Sequence, residues 1–394
     1  MNHQIIVSSL FFALSCYVGL RVFQYLPLSR MWKWFFFLVY LICAESFLIH
    51  RLAYKAGVLE QVPQWLSLGL SVAQACCIIL ALLSLAREAV LLAWFTVGRP
   101  LFHPVLRNPE EARKLWLGRM HKLSVALCIA AMLITAKGVY NALQVPQVVE
   151  VEIYSPNIPP ALDGFKIAQL SDLHIGSGFD APWLLEVVER TNGLEPDVIA
   201  LTGDMLDGWA MQMKGELAPI NDFKAKHAVY VIDGNHEYYV SYGSWLEYMN
   251  KISKHKLLRN QGEVLQIGDA RLGIAGATDI QGRLNWQAPD LKKAYKAVGS
   301  ADYKVLLWHR PKDAQLAADA GFDMMLSGHT HGGQFFPGNL LVAIPNRYAI
   351  GLYDVDGMDL YVNPGSSLWG RVPLRLVVQS EITLLVLRSG EMPG

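Results

Sequence analysis

The stretch FKIAQLSDLHIG, Phe165 to Gly176, opens with a short apolar run and closes on an acid and an imidazole two residues apart, Asp172 and His174. A run of that length bounded by turn residues predicts a buried strand, and the polar pair falls just past its carboxyl end. The pattern recurs along the chain. DVIALT is followed by Gly203 and Asp204, AVYVID by Gly234, Asn235, His236 and Glu237, YKVLLW by His309, and FDMMLS by Gly328, His329, Thr330 and His331. RLGIAGA reads as a further strand. APWLLEVVERTN, a segment around Glu216–Lys226, SYGSWLEYMNKIS, WQAPDLKKAYKAV and PKDAQLAADA have the spacing of helices between them. Strand and helix in alternation predict an α/β core with buried sheet. The tail segments GLYDVDGMDLYVNPG and EITLLVL read as added strands of hairpin character.

In open α/β sheets, ligand sites collect outside the carboxyl ends of strands. Seven histidines follow residue 150, and five of them (His174, His236, His309, His329 and His331) sit in those strand-end loops, so together with Asp172, Asp204 and Asn235 they form one set. The other two, His227 and His255, read as surface or locally bonded residues. In an extended segment, residues i and i+2 face the same way with Cα atoms about 6–7 Å apart, so His329 and His331 can grip two neighbouring ions. The glycines around them let the backbone turn tightly and approach the site. Two metals about 3.5–4 Å apart clamp both oxygens of a phosphoryl displacement and lower the pKa of a water between them. Asp204, just beyond a strand end and preceded by Gly203, is the natural bridging carboxylate.

The ordered set DLH, GD, GNHE, a lone histidine and GHTH resembles the calcineurin-like metallophosphoesterases. DGFKIAQLSDLHIG and GHTHGGQ are similar to their membrane-associated branch. The resemblance covers about residues 148–390, and five motifs in order make it specific. It implies a two-sheet sandwich flanked by helices. It further implies that Asp172, His174, Asp204 and His331 bind one metal, and that Asp204, Asn235, His309 and His329 bind the second. His236 then faces the substrate phosphate and assists the leaving group as an acid or by stabilising charge. Glu237 and Asp207 would support the ligand loops. GNHEYY lacks the arginine that follows this motif in the protein Ser/Thr phosphatases, which argues against a phosphoprotein substrate.

The first 145 residues are of another kind. The chain is 53% hydrophobic, and the excess is concentrated there. Four stretches, about Gln4–Leu20, Met31–Ile49, Trp65–Ala86 and Leu123–Val139, each approach the roughly 17–25 residues of a bilayer crossing. The third runs on past Arg87 and Glu88 into AVLLAWFTV, so its helix extends beyond the bilayer or lies along it, and a fifth span is an alternative count. Lys and Arg are retained on the cytoplasmic side of short loops. Arg99, Arg107, Arg113, Lys114, Arg119 and Lys122 in the third loop, with Arg30 and Lys33 in the first, outweigh Arg51 and Lys55 in the second. Four spans therefore place the C-terminal domain outside the cytoplasm, and a fifth reverses the side. Glu45, near the end of the second span, reads as reaching the interface or a neighbouring helix.

All five cysteines lie at or before Cys128, which excludes thiolate ligands and cysteine nucleophiles from the rest of the chain. Equal totals of 34 basic and 34 acidic residues give no electrostatic ground for a nucleic-acid partner. The expected architecture is a helical transmembrane bundle over residues 1–145 joined to a metallophosphoesterase domain over residues 146–394. The expected activity is hydrolysis of phosphate mono- or diesters by metal-activated water in a plasma or inner membrane. Oxygen and imidazole ligands suit Mn, Fe or Zn, and an anchored site favours a lipid-linked substrate. The competing readings are the same hydrolase acting on soluble nucleotides or phosphodiesters, and a non-catalytic membrane sensor whose domain only binds a phosphorylated ligand.

Overall fold

The computed structural model describes residues 2–46, 48–49, 64–98, 109–176, 178–285, 287–369 and 372–392. Arg51, Lys55, Arg99 and Arg107, used above in the loop-charge argument, lie outside the described residues. The chain separates into two compact units, Met1–Tyr140 and Asn141–Gly394.

The described part of the first unit is helical: α1 (Asn2–Phe23), α2 (Arg30–Ala44), α3 (Gln64–Ala93) and α4 (Pro109–Ala142). Among the described residues, two stretches, Leu68–Thr96 and Arg113–Ala142, are long and apolar enough to cross a membrane, and only 28% and 22% of their most apolar parts are buried. That low burial is unlike the core helix of a soluble domain, which hides its apolar stripe. Helix α3 continues unbroken past Arg87 and Glu88, where Arg21 of α1 reaches Glu88 at 2.8 Å and Arg87 reaches it at 2.6 Å. The basic run Arg113 to Lys122 forms the first turns of α4, where sequence placed a loop. Pro109 at the start and Glu110 and Glu111 in the first turn suit a helix amino terminus, by fixed φ and by favourable charge against the dipole. Glu45 caps the carboxyl end of α2 and is buried within the unit.

The second unit is built on two six-stranded sheets. The first has the order β1 (Gln147–Ser155), β12 (Glu381–Ser389), β2 (Lys166–Leu170), β3 (Val198–Leu201), β4 (Ala228–Val231), β5 (Lys256–Leu257). The second has the order β10 (Gly351–Val355), β11 (Met358–Val362), β9 (Met324–Ser327), β8 (Tyr303–Leu307), β7 (Ala270–Gly276), β6 (Gln261–Ile267). Strands β2 to β5 run parallel in one sheet, as do β7, β8, β9 and β11 in the other. Central parallel strands are covered on both faces, which is why β3 and β9 are buried at every position.

The sheets meet face to face through Ile167, Val198, Tyr230 and Leu385 on one side and Leu272, Val305, Met324 and Leu326 on the other. Each side chain of this size, fully buried, contributes about 1.5–3 kcal/mol. Outer layers of helix cover the remaining faces. α5 (Ala181–Asn192) and, after the single turn α6 (His236–Tyr239), α7 (Tyr242–Lys251) pack on the first sheet, and α8 (Leu291–Val298) and α9 (Ala314–Ala320) on the second. Their starts follow local chemistry. Asp180, Ser241 and Asp290 each accept a hydrogen bond from the backbone amide three residues on, at 3.2, 3.2 and 3.0 Å.

Two expectations are corrected here. Around Glu216–Lys226 there is only a 3-10 turn, Ala218–Asp222, with Pro219 in its first turn and too few residues to sustain an α-helix. EITLLVL is not a hairpin strand: β12 lies inside the first sheet, parallel to β1 and antiparallel to β2. GLYDVDGMDLYV does form the β10–β11 hairpin.

Candidate metal centre

Asp172 and His174 follow β2, Asp204 follows β3, and Asn235 and His236 follow β4, while His309 follows β8 and His329 and His331 follow β9. All eight therefore lie beyond carboxyl ends of parallel strands in the two sheets. Gln169 of β2 donates from Nε2 to the carbonyl of Ser327 at the end of β9, at 2.9 Å, and ties those ends together.

The side chains converge in three overlapping groups, Asp172 with His174 and His331, Asp204 with His309 and His329, and His174 with His236 and Asp207. Nε2 of His331 is 3.2 Å from Oδ1 of Asp172 and 3.2 Å from Nε2 of His174. Oδ2 of Asp204 is 3.1 Å from Nε2 of His309 and 4.0 Å from Nε2 of His174, so this one oxygen stands between the groups. Asn235 donates from Nδ2 to the Tyr239 hydroxyl at 3.1 Å. Its Oδ1 is buried without a hydrogen-bond partner among the described residues, as are Oδ1 of Asp172 and Nε2 of His309. A buried polar atom left unpaired costs about 1–3 kcal/mol. Two such acceptor oxygens, beside an imidazole nitrogen that can shed its proton, fit divalent cations, which take lone pairs of this kind.

The backbone is bent to the same end. Asp172, His174, Asp204, His329 and His331 have φ of 55°, 43°, 53°, 71° and 49°, a left-handed region that non-glycine residues rarely enter. Such strain concentrates at functional sites. It also corrects the premise of an extended GHTH segment: His329 and His331 are both left-handed, and their rings enter different groups because the chain turns between them. Glycine is required at Gly203, where φ is 94° and a Cβ would lie 2.7 Å from the Gly234 nitrogen, and at Gly328, where it would lie 1.8 Å from Ser171 Oγ.

Outer contacts orient the ligand atoms. His174 donates from Nδ1 to Oδ1 of Asp207 at 3.2 Å, and Nδ1 of His236 bonds the same oxygen. Glu237 accepts from the amides of Asp204, Met205 and Gly234 at 3.0, 2.7 and 2.7 Å, clasping two of the loops. Burial and the nearby Asp204 charge push its carboxyl up to about 7. Burial disfavours charge on His309, but Asp204 and Asp172 outweigh it and push the imidazole up to about 10. Burial pushes His329 down to about 3 and His331 down to about 4, leaving neutral rings with lone pairs to give. Burial also opposes charge on His236, and the Asp207 hydrogen bond and the Asp204 charge reverse this and raise its pKa. The carboxylates thus create a field that favours positive charge in the cluster.

Several contributors carry no sequence signal. The loop after β11 brings Ser367, whose Oγ donates to the Asp172 carbonyl at 2.9 Å. Buried Arg375 donates to the carbonyls of Pro364 and His331 at 3.0 and 3.3 Å, and to that of Ser367. Arg310, directly after His309, pairs bidentately with Asp279 at 2.7 and 3.2 Å; its adjacency to His309 is the one clue that sequence offered. His227 stacks on Phe165 and His255 bonds the Ile220 carbonyl at 2.6 Å, both apart from the cluster.

This two-sheet fold brings a donor set suited to divalent metals to one place. A sequence profile described as "Calcineurin-like phosphoesterase" matches residues 165–333. An uncharacterized metallophosphoesterase of Campylobacter jejuni is 33% identical over 300 residues, 76% of this chain and 77% of its own. A bovine (Bos taurus) "Transmembrane protein with metallophosphoesterase domain" is 31% identical over 368 residues, 90% of this chain and 77% of its own. Among solved structures, a dimetal phosphatase from Danio rerio aligns over 52% of this chain and 88% of its own at 10% identity, with a TM-score of 0.33. The chain belongs to the calcineurin-like metallophosphoesterase family.

Proposed function

We propose that the protein is a membrane-anchored phosphoesterase that hydrolyses phosphate mono- or diesters at a two-cation centre, with a lipid-linked ester as its substrate. In this reading residues 1–145 form a four-helix transmembrane region and residues 146–394 the catalytic domain. The observation that carries the chemistry is Oδ2 of Asp204, placed 3.1 Å from His309 and 4.0 Å from His174, where a bridging carboxylate belongs. Asp172, His174, Asp204 and His331 would hold one cation, and Asp204, Asn235, His309 and His329 the other, with Mn, Fe or Zn suited to these donors. When bound, such a pair supplies positive charge to the phosphoryl oxygens and lowers the pKa of a water held between the ions.

The chain's own part is orientation and proton delivery. The His236 amide donates to Oδ1 of Asp204 at 2.8 Å, and Asp207 holds Nδ1 of its ring. Nε2 is left facing the cluster, 4.0 Å from Oδ2 of Asp204, where it can give a proton to the leaving-group oxygen. Glu237 and Asp207 keep the loops and rings in register. The two long apolar helices support anchoring, and the basic bias of the α4 start supports a catalytic domain on the non-cytoplasmic side of a plasma or inner membrane.

The test is hydrolysis of bis-p-nitrophenyl phosphate and p-nitrophenyl phosphate by detergent-purified protein, stripped and reloaded with Mn, Zn or Fe. His236→Ala is expected to lower turnover by about 10²–10⁴-fold, the usual share of a positioned acid, with bound metal unchanged. Metal loss in that variant, or no turnover with both ions bound, contradicts the assignment. In mixed micelles, equal turnover of soluble and lipid-borne esters contradicts the lipid substrate.

A further inference from the structure

Helix α10 (Gly338–Asn346), which begins seven residues after His331, buries none of its side chains. Leu340, Leu341 and Ile344 are 56%, 62% and 80% exposed, and Phe336 just before them 61%. Positions i, i+1 and i+4 lie on one side of a helix, so this is a single apolar face. A second segment extends it. Gln334 accepts from the Trp369 amide at 3.0 Å through Oε1 and from the Leu376 amide at 3.1 Å through its carbonyl. Those bonds pin the exposed Trp369 and Val377 to the turn from which α10 departs. The far end is fastened as well, because the Thr330 hydroxyl bonds the Ala349 carbonyl. The face is therefore held rigidly to the loop that carries His329 and His331.

Large apolar side chains left at such exposure forgo the gain of burial, and a contiguous patch of them marks an interaction surface. The surrounding charge says which kind. No Asp or Glu occurs from Met324 to Tyr353 or from Leu360 to Ser380, and Arg347 lies in the first of these stretches. Arg347 is exposed at the end of α10, with its guanidinium over the Tyr348 ring. An apolar face with tryptophan and tyrosine near its rim, an exposed arginine and no acid within its own two segments is the composition of an element that lies in the headgroup region of anionic lipid. Arg113–Ala142 of the same chain is long and apolar enough to cross a bilayer.

We propose that α10, with Phe336, Trp369 and Val377, inserts into the interfacial layer of an anionic lipid bilayer and sets the His329–His331 loop at the membrane surface. The insertion stands on the surface chemistry alone. Its consequence, that the ester is taken from the lipid phase, rests on the phosphoesterase reading.

The experiment uses the full chain in nanodiscs of phosphatidylcholine, with and without phosphatidylglycerol, carrying acyl chains brominated near the headgroup. Tryptophan emission is compared between the native protein and Trp369→Phe, so that the other ten tryptophans cancel. The expected result is a bromine-quenched component in the native protein that Trp369→Phe lacks, larger with phosphatidylglycerol. Leu341→Glu/Ile344→Glu, at two exposed positions, should abolish that component and leave turnover of soluble bis-p-nitrophenyl phosphate unchanged. Equal quenching of native protein and Trp369→Phe overturns the proposal. So does a dimer of the full chain that dissociates in Leu341→Glu/Ile344→Glu while Trp369 goes unquenched, which would assign the face to a second copy. Quenching without any hydrolysis would leave the insertion standing and remove the phosphoesterase reading.

Discussion

Nδ1 of His309 donates to the carbonyl oxygen of Thr202 at 2.8 Å, and this bond decides which ring nitrogen is left for the site. A carbonyl only accepts, so Nδ1 carries a hydrogen, and Nε2, 3.1 Å from Oδ2 of Asp204, is the nitrogen that would give up its proton and offer its lone pair to a cation. His309→Ala should therefore cost one of the two bound ions and leave the other, whereas Asp204→Ala, which takes away the oxygen between the groups, should empty both. Both losses should exceed the about 10–100-fold weakening typical of an outer contact. Metal content after desalting, measured by mass spectrometry, checks this; equal retention by the two variants would deny Asp204 its bridging place.

Asp207 uses one oxygen for two imidazoles, His174 and His236. It steers one ring of the Asp172 group and the ring placed to give up a proton. Asp207→Asn keeps the shape and removes the charge. The expected result is a loss of about 10–100-fold in kcat/KM with both ions still bound, as is usual when a partner behind a ligand is weakened. A variant that turned over normally would show that the shared oxygen has no catalytic consequence.

The strands that carry the site were legible because they are central and parallel. VIAL and MMLS are buried on both faces and so appear as unbroken apolar runs. Of the edge strands, β10 was read, but β1, β5 and β6 were not. In β6, QGEVLQI is only partly buried and mixes polar with apolar residues, and β1, QVVEVEIYS, follows directly on the helical unit. Every residue of the candidate cluster was visible as a polar interruption after a strand, yet the left-handed backbone at Asp172, His174, Asp204, His329 and His331 was not. It arises from contacts between distant loops, such as the His329 amide on Oδ2 of Asp172 at 3.0 Å. Ser367 and Arg375 act on backbone carbonyls, and a carbonyl leaves no mark in a sequence.

Glu237 joins the loops after β3 and β4 through three amides, and its carboxylate supplies all the acceptors. Glu237→Gln replaces one of those oxygens with a donor and leaves at least one buried amide facing another N–H. The expected cost is about 1–3 kcal/mol of stability, the range for an unsatisfied buried group. Because the Asp204 amide is among the three, metal retention should fall with it. Thermal unfolding with and without added Mn checks both; an unchanged midpoint would mean that the loops are held elsewhere.

Asp359 offers a pH test remote from the metal centre. It lies directly opposite Asp354 in the antiparallel β10–β11 pair. Burial, with the charges of Asp354 and Asp323 beside it, pushes its carboxyl up to about 6. An acid whose pKa is higher folded than unfolded favours folding while protonated, and that advantage is lost as pH rises from about 4 through 6. Above that window the folded state carries a like-charge pair across the strands. Asp359→Asn, uncharged at every pH, should then unfold at higher temperature than the native protein at pH 8, by about 1–2 kcal/mol once solvent screening of this partly exposed group is allowed for. At pH 4 the difference should vanish, since the native carboxyl is protonated in the fold. A gain of the same size at both pH values would show that the amide stabilises by packing, and that the carboxylate repulsion across β10 and β11 is not the cause.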